Sequence, residues 1–142
     1  MKVPELPIPF ERTFDALYGL QVLEMSPDLV RAQVHVADHH KQGFGLVHGG
    51  VFASIAESIT SEATARAVHP NGEIAQGMSN QTSFLRPIVG GTIHAAGQRR
   101  HKGRTTWVWE VDITDDEDRL CALVRMTIAV RPLPAELQDL SR

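Results

Sequence analysis

A chain of 142 residues is organised by one hydrophobic core, and its 14 basic against 17 acidic side chains leave a formal net charge of -3. That balance gives no general attraction for nucleic acid or an anionic membrane, so a polyanion must be caught by a local patch. The one cysteine, Cys121, excludes an intramolecular disulfide, Met1-Lys2-Val3-Pro4 opens no signal-peptide core, and no apolar run approaches the roughly 20 residues of a membrane span. The expectation is a soluble, cytoplasmic protein.

Pro4, Pro7 and Pro9 predict an extended arm, followed by a short amphipathic segment from Phe10 to Leu17; together these make an arm-and-helix unit over residues 1–17. Tyr18 to Met25 reads as a strand, broken by Ser26-Pro27-Asp28, and Leu29 to Val36 as a second, with Val30, Ala32, Val34 and Val36 alternating against Arg31, Gln33 and His35. A glycine-rich stretch, Gln42 to Gly50, then feeds a helix. Phe52, Ile55, Ala56, Ile59, Ala63 and Ala67 recur at three- and four-residue steps, and the helix is expected to stop near His69-Pro70-Asn71-Gly72.

Strands follow from Ile74 to Leu85, closed by Arg86-Pro87, from Thr92 to His101, and, after Lys102-Gly103, from Thr105 to Thr114. In the last of these Trp107, Trp109, Val111 and Ile113 share a face, which suits core or interface better than substrate stacking. After the acidic turn 115–118, Leu120 to Arg131 alternates Leu120, Ala122, Val124, Met126, Ile128 and Val130 on one side. The order predicts an α+β domain over residues 18–132, an antiparallel sheet covered by one long helix, with a loosely ordered tail over 133–142.

Glu57 stands out as an acid in the middle of an apolar helix, on a stripe with Ser54 and Ser61. Taken alone it is either a solvated helix carboxylate or a catalytic one. Gly49 and Gly50 fall where the first turn begins, so their N–H groups lack intrahelical acceptors and suit a developing negative oxygen. His39, His40 and His48 show no i, i+4 ligand pair on a helix and no cysteine partner, so no metal is expected.

Four blocks together carry a resemblance: Gln42 to Ser61, Thr82-Ser83-Phe84-Leu85-Arg86-Pro87, Thr105-Thr106-Trp107 and Ala129-Val130-Arg131-Pro132. From about Tyr18 to Pro132 the chain resembles the hotdog-fold acyl-CoA thioesterases, most of all the 4-hydroxybenzoyl-CoA thioesterases with a helix glutamate. The resemblance implies a helix wrapped by its sheet. It makes Glu57 the carboxylate that attacks the thioester carbonyl or activates water, Gly49 the oxyanion donor, Gln42 a side-chain amide near the reacting centre, His48 a shaper of the thioester pocket and Ser61 the positioning hydroxyl. A thiolate leaves with little acid help, so an attacking group and one oxyanion donor suffice.

The same resemblance points Gly50, Asn80, Ser83, Arg86, Arg104, Thr105 and Arg131 at the coenzyme, with Gln81 beside them, and Phe52, Ser58 and Glu62 at the acyl group. Two of these carry a second reading. Glu62 stands four residues before Arg66, an ion-pair spacing, and the cluster Arg99, Arg100, His101, Lys102 and Arg104 is as readily a solvated face. No cofactor is implied beyond coenzyme A, which belongs to substrate and product. The implied assembly is a homotetramer, a dimer of dimers, with Gln42 and Glu57 of one site coming from different chains. The competing functions are a hotdog hydratase or dehydratase, which needs an acid facing a histidine, and a non-catalytic acyl-CoA-binding protein.

Overall fold

The computed structural model describes residues 6–138, so the ends of the expected arm and tail lie outside the described residues. Ahead of the sheet, a 3-10 turn at Phe10–Arg12 runs into α1, Phe14–Leu17. The strands are β1 Gln21–Met25, β2 Leu29–His35, β3 Glu73–Phe84, β4 Thr92–Lys102, β5 Thr106–Thr114 and β6 Leu120–Pro132. They form one antiparallel sheet ordered β1-β2-β4-β5-β6-β3, which leaves β3 as an edge. The helix α2, Gly49–Val68, packs on its inner face against β2, β3, β4, β5 and β6.

The alternation read in β2 and β5 holds, with Val30, Ala32, Val34, Trp107, Trp109, Val111 and Ile113 all buried. These meet Ile55 and Ile59 of α2, each fully buried and each contributing about 1.5–3 kcal/mol by leaving water. The helix face is wider than its apolar period suggests, because Thr60 and Thr64 are also buried. Their hydroxyls donate to the carbonyls of Ala56 and Thr60 at 2.8 Å, and Thr64 Oγ1 also accepts the Trp109 indole N–H at 3.0 Å. Among the described residues no helix is long and apolar enough to cross a membrane.

Three expectations are corrected. Tyr18 does not begin the first strand: Gly19 takes a left-handed φ of 77°, Tyr18 is the buried C-cap of α1, and β1 starts at Gln21. In β6 Leu120 points to solvent while Cys121 and Ala122 are both buried, because the register with β5 shifts beside Thr114. The chain beyond Pro132 is not wholly irregular, since the Leu133 N–H donates to the Gly72 carbonyl at 2.9 Å and Ala135–Gln138 form the four-residue α3.

Thr64→Val keeps the shape of the side chain but strands the buried Trp109 N–H. Urea unfolding is expected to show a loss of about 1–3 kcal/mol; an unchanged midpoint would show that the bond contributes nothing.

Candidate active site

Helix α2 starts at Gly49, where a cap and a close contact mark its first turn. His48 is the N-cap, with an extended backbone at φ -63° and ψ 132°, and its Nδ1 accepts from the Gly50 N–H at 2.8 Å. An accepting Nδ1 places the imidazole proton on Nε2. A Cβ on Gly49 would stand 2.6 Å from the Phe84 ring, so glycine lets the helix begin against β3. Of the two N–H groups expected to be free, Gly50's is therefore taken. Gly49's has no acceptor among the described residues, and it stands at the positive end of a 20-residue helix.

Glu57 lies on the exposed side of α2, eight residues beyond Gly49, or about 12 Å along the helix axis. Its carboxylate rests over β3 where the strand has no side chain: a Cβ on Gly77 would come within 3.3 Å of Glu57 Oε1. The register of β3 with β6 slips between Gly77 and Ser79, a bulge beside the acid. A glycine inside a strand marks such a close approach, so Gly77 was findable from sequence and was missed.

The seam between α2 and β3 thus runs in order. Phe84 meets Gly49, the Asn80 amide donates to the Ala53 carbonyl at 2.9 Å, and Gly77 meets Glu57. Beyond Glu57 the seam opens into a cavity of about 310 Å³ with walls that include Ala65, Ile74 and Ala75 and a rim of Glu62, Arg66, His69 and Glu73. Ser61 is half-buried one turn after Glu57, and its hydroxyl makes no hydrogen bond among the described residues.

Other residues take more specific places. Gln42 closes the turn before α2: its Oε1 accepts from the Phe44 N–H and its carbonyl from the Gly45 N–H at 2.9 Å, which puts Phe44 out in solvent, 94% exposed. Asn80 also accepts from Thr82 Oγ1 at 2.7 Å, so it ties strand to helix. Ser83 and Gln81 are exposed on β3. Phe52 and Ser58, expected at the acyl group, have other neighbours in this chain. Phe52 belongs to the core at 3% exposure, and Ser58 donates to Asp15 Oδ1 at 2.6 Å while Tyr18 donates to the same oxygen at 2.8 Å. Burial pushes the Tyr18 phenol above its ordinary range, and this half-buried cluster fastens α1 to the middle of α2. No sequence signal pointed to Asp15.

The basic residues divide into separated groups. Arg131 Nη1 donates to the Thr105 carbonyl at 2.6 Å, beside exposed Arg104 at the β4–β5 turn. Arg86 stands at the other end of β6, its N–H on the Cys121 carbonyl at 3.1 Å. The ten residue steps from Cys121 to Arg131 span about 33 Å. Arg99 and Lys102 lie over the Trp107 ring at 4.7 and 5.6 Å, and Arg99 also donates to the Pro27 carbonyl at 2.8 Å, so part of that cluster is structural. His40 is buried, Nδ1 accepting from the Ala37 N–H at 2.8 Å and Nε2 on the Tyr18 carbonyl at 2.7 Å, a structural histidine. Glu62 pairs with Arg66, as its spacing suggested, with Nε to Oε1 at 2.9 Å.

The family model of the Thioesterase superfamily matches residues 44–122. A provisionally named esterase of Mycobacterium tuberculosis is 40% identical over 123 residues, covering 84% of this chain and 88% of that one. A 1,4-dihydroxy-2-naphthoyl-CoA hydrolase of Listeria monocytogenes is 32% identical, covering 80% and 91%. Among solved structures, a variant of thioesterase PA1618 from Pseudomonas aeruginosa superposes with a TM-score of 0.82 at 28% identity, covering 87% and 88%. A Staphylococcus aureus protein superposes with a TM-score of 0.82 at 26% identity, covering 85% and 100%; it was crystallised with a glutamate replaced by alanine, and separately with a glutamine so replaced. The chain belongs to the Thioesterase superfamily. It has the hotdog fold and is a thioester hydrolase.

Gly77→Val puts a branched side chain where the Glu57 carboxylate rests. Thiol-release rates are expected to fall on the order of 10- to 100-fold, while the thermal midpoint moves little because Gly77 is exposed. Unimpaired hydrolysis would dissociate Glu57's position from the chemistry.

Proposed function

We propose that the protein hydrolyses an aryl or arylalkyl-CoA thioester, of the 4-hydroxybenzoyl-CoA kind, to the free acid and coenzyme A. The observation that carries the reading is the pair formed by an open carboxylate, Glu57 over Gly77, and an unclaimed helix N–H, that of Gly49. The first directs an oxygen at the carbonyl carbon, either its own or that of a water from which it takes a proton. The second receives the charge that develops on the carbonyl oxygen, a contribution of roughly 2.7–4 kcal/mol to the barrier. The C–S bond then breaks and the thiolate leaves without a strong acid; where Glu57 itself attacks, water then cleaves the resulting acyl-carboxylate anhydride, which gives the free acid and restores the carboxylate.

About 12 Å of helix separates the two groups, far more than one carbonyl spans. A site with both therefore takes Glu57 from one chain and Gly49, with Gln42, from a second. The edge strand β3 supports such an arrangement, since Met78, Phe84 and Leu85 are exposed on or beside it and its outer hydrogen-bonding groups lack a strand neighbour among the described residues. Pairing two copies at this edge extends the sheet and lays their α2 helices side by side. The same pairing supplies coenzyme contacts from both chains, Arg86 and the Arg104–Thr105–Arg131 group being too far apart to serve one coenzyme in a single chain. In the Staphylococcus aureus protein the replaced glutamine and glutamate stand fifteen residues apart, the spacing of Gln42 and Glu57 here.

Glu57→Ala is expected to lower kcat about a thousandfold or more with little change in KM, followed by thiol release from aryl-CoA esters. A variant as fast as wild type would remove Glu57 from the mechanism, and wild-type protein that converts substrate without freeing thiol would be a hydratase.

A further inference from the structure

We infer that Asn80 is a positioning residue for the hydrolysis: its side-chain amide holds the turn of α2 that carries Glu57 at a set place over β3, so that its loss lowers turnover and leaves coenzyme binding intact. This rests on the hydrolase reading above, in which Glu57 attacks or activates water. The resemblance points Asn80 at the coenzyme, but its hydrogen bonds turn inward. Nδ2 donates to the Ala53 carbonyl at 2.9 Å, the one hydrogen bond between α2 and β3 among the described residues, and Oδ1 accepts from Thr82 Oγ1 at 2.7 Å. A carbonyl only accepts and a hydroxyl can donate, so the two neighbours fix which way the amide points.

Two features aim this bond at Glu57. The Ala53 carbonyl is the one that accepts the Glu57 N–H in the helix ladder, so Asn80 grips the turn from which the carboxylate projects. Gly49, Ala53 and Glu57 also stand at four-residue steps on one stripe of the helix, which β3 follows with Phe84, Asn80 and Gly77. Asn80 and Gly77 are three residues apart, an odd step that in a regular strand puts them on opposite faces. The bulge at exposed Met78 absorbs the extra residue, and both then pair with buried residues of β6, Asn80 with Met126 and Gly77 with Ile128. The amide and the acid's resting place thus come to the same side of the strand. Because β3 is also the edge at which the proposed second copy joins, the bond fixes Glu57 relative to the surface where that copy's oxyanion donor arrives. A displacement of about 1 Å there costs on the order of 100-fold in rate.

Asn80→Leu keeps the bulk of the side chain and removes both bonds. The Ala53 carbonyl retains the Glu57 N–H and Thr82 is only half-buried, so the fold loses little. With 4-hydroxybenzoyl-CoA and hexanoyl-CoA as probes, thiol release is expected to show kcat lower by about 10- to 100-fold and KM within about threefold of wild type. In a Glu57→Ala background the same substitution is expected to change the residual kcat by no more than about twofold, because a group that acts through Glu57 then has nothing to position. A loss from general loosening would recur there. Thr82→Val frees the amide to turn and is expected to give a smaller fall in kcat with the same silence beside Glu57→Ala; it decides where Asn80→Leu fails to fold. A raised KM with unchanged kcat overturns the inference in favour of a coenzyme contact, and equal losses with and without Glu57 overturn it in favour of a purely structural bond. Full activity of Asn80→Leu overturns it as well, and all three results leave the hydrolase reading standing. No thiol from either ester in wild type overturns both.

Discussion

The distance between Gly49 and Glu57 on one rigid helix governs the rest of this molecule. Eight residues at 1.5 Å each hold the oxyanion donor and the carboxylate about 12 Å apart, and α2 is pinned by buried contacts to five strands, so no bending brings them together. On the proposed reading each chain supplies two half-sites, one at Gly49 and one at Glu57. The same reading accounts for the edge position of β3, the exposed Phe84 and Leu85 and the divided arginines by a second copy.

The seam between α2 and β3 shows what the half-sites cost in local structure. Gly49 and Gly77 forgo side chains so that Phe84 and the Glu57 carboxylate can occupy the space, and the bulge after Gly77 gives up regular pairing. Stability is recovered elsewhere in the helix. Thr60, Thr64 and Trp109 form a satisfied polar chain inside the core, and the Asp15–Tyr18–Ser58 cluster holds α1 against the same helix. With the core side so fully bonded, the open side can leave Gly49's N–H unclaimed and Glu57 exposed.

Much of this was legible in the amino-acid order, for identifiable reasons. The 3.6-residue period fixed α2 and the two-residue period fixed β2 and β5, because each buries one face against a common core. The ends were harder. Tyr18 was read as strand because an aromatic beside alternating apolar residues gives no sign that Gly19 turns the chain by a positive φ. The packing of Phe52 into the core and the bond from Ser58 to Asp15 were not legible, because Asp15 stands 43 positions from Ser58 and no local pattern connects them. The motif blocks single out Gly49 and Glu57, and the resemblance already divides the proposed site between two chains; their separation of eight residues on one helix gives that division a physical reason. Glu62 and Arg66 were paired correctly because a four-residue spacing on a helix is a local, geometric fact.

A direct measurement of the shared site mixes two disabled chains. One carries Glu57→Ala. The other carries Gly49→Pro, which removes the oxyanion N–H at a helix position that tolerates proline, after a His48 backbone already extended, with Phe84 at 61% exposure able to turn aside. Unfolded together and refolded, half of the random dimers contain one chain of each kind, and each of these holds one intact site. The account predicts that thiol release returns to about one quarter of the wild-type rate, well above the sum of the two variants refolded separately. Activity no greater than that sum would contradict it, and would place the attacking group and its oxyanion donor in a single chain.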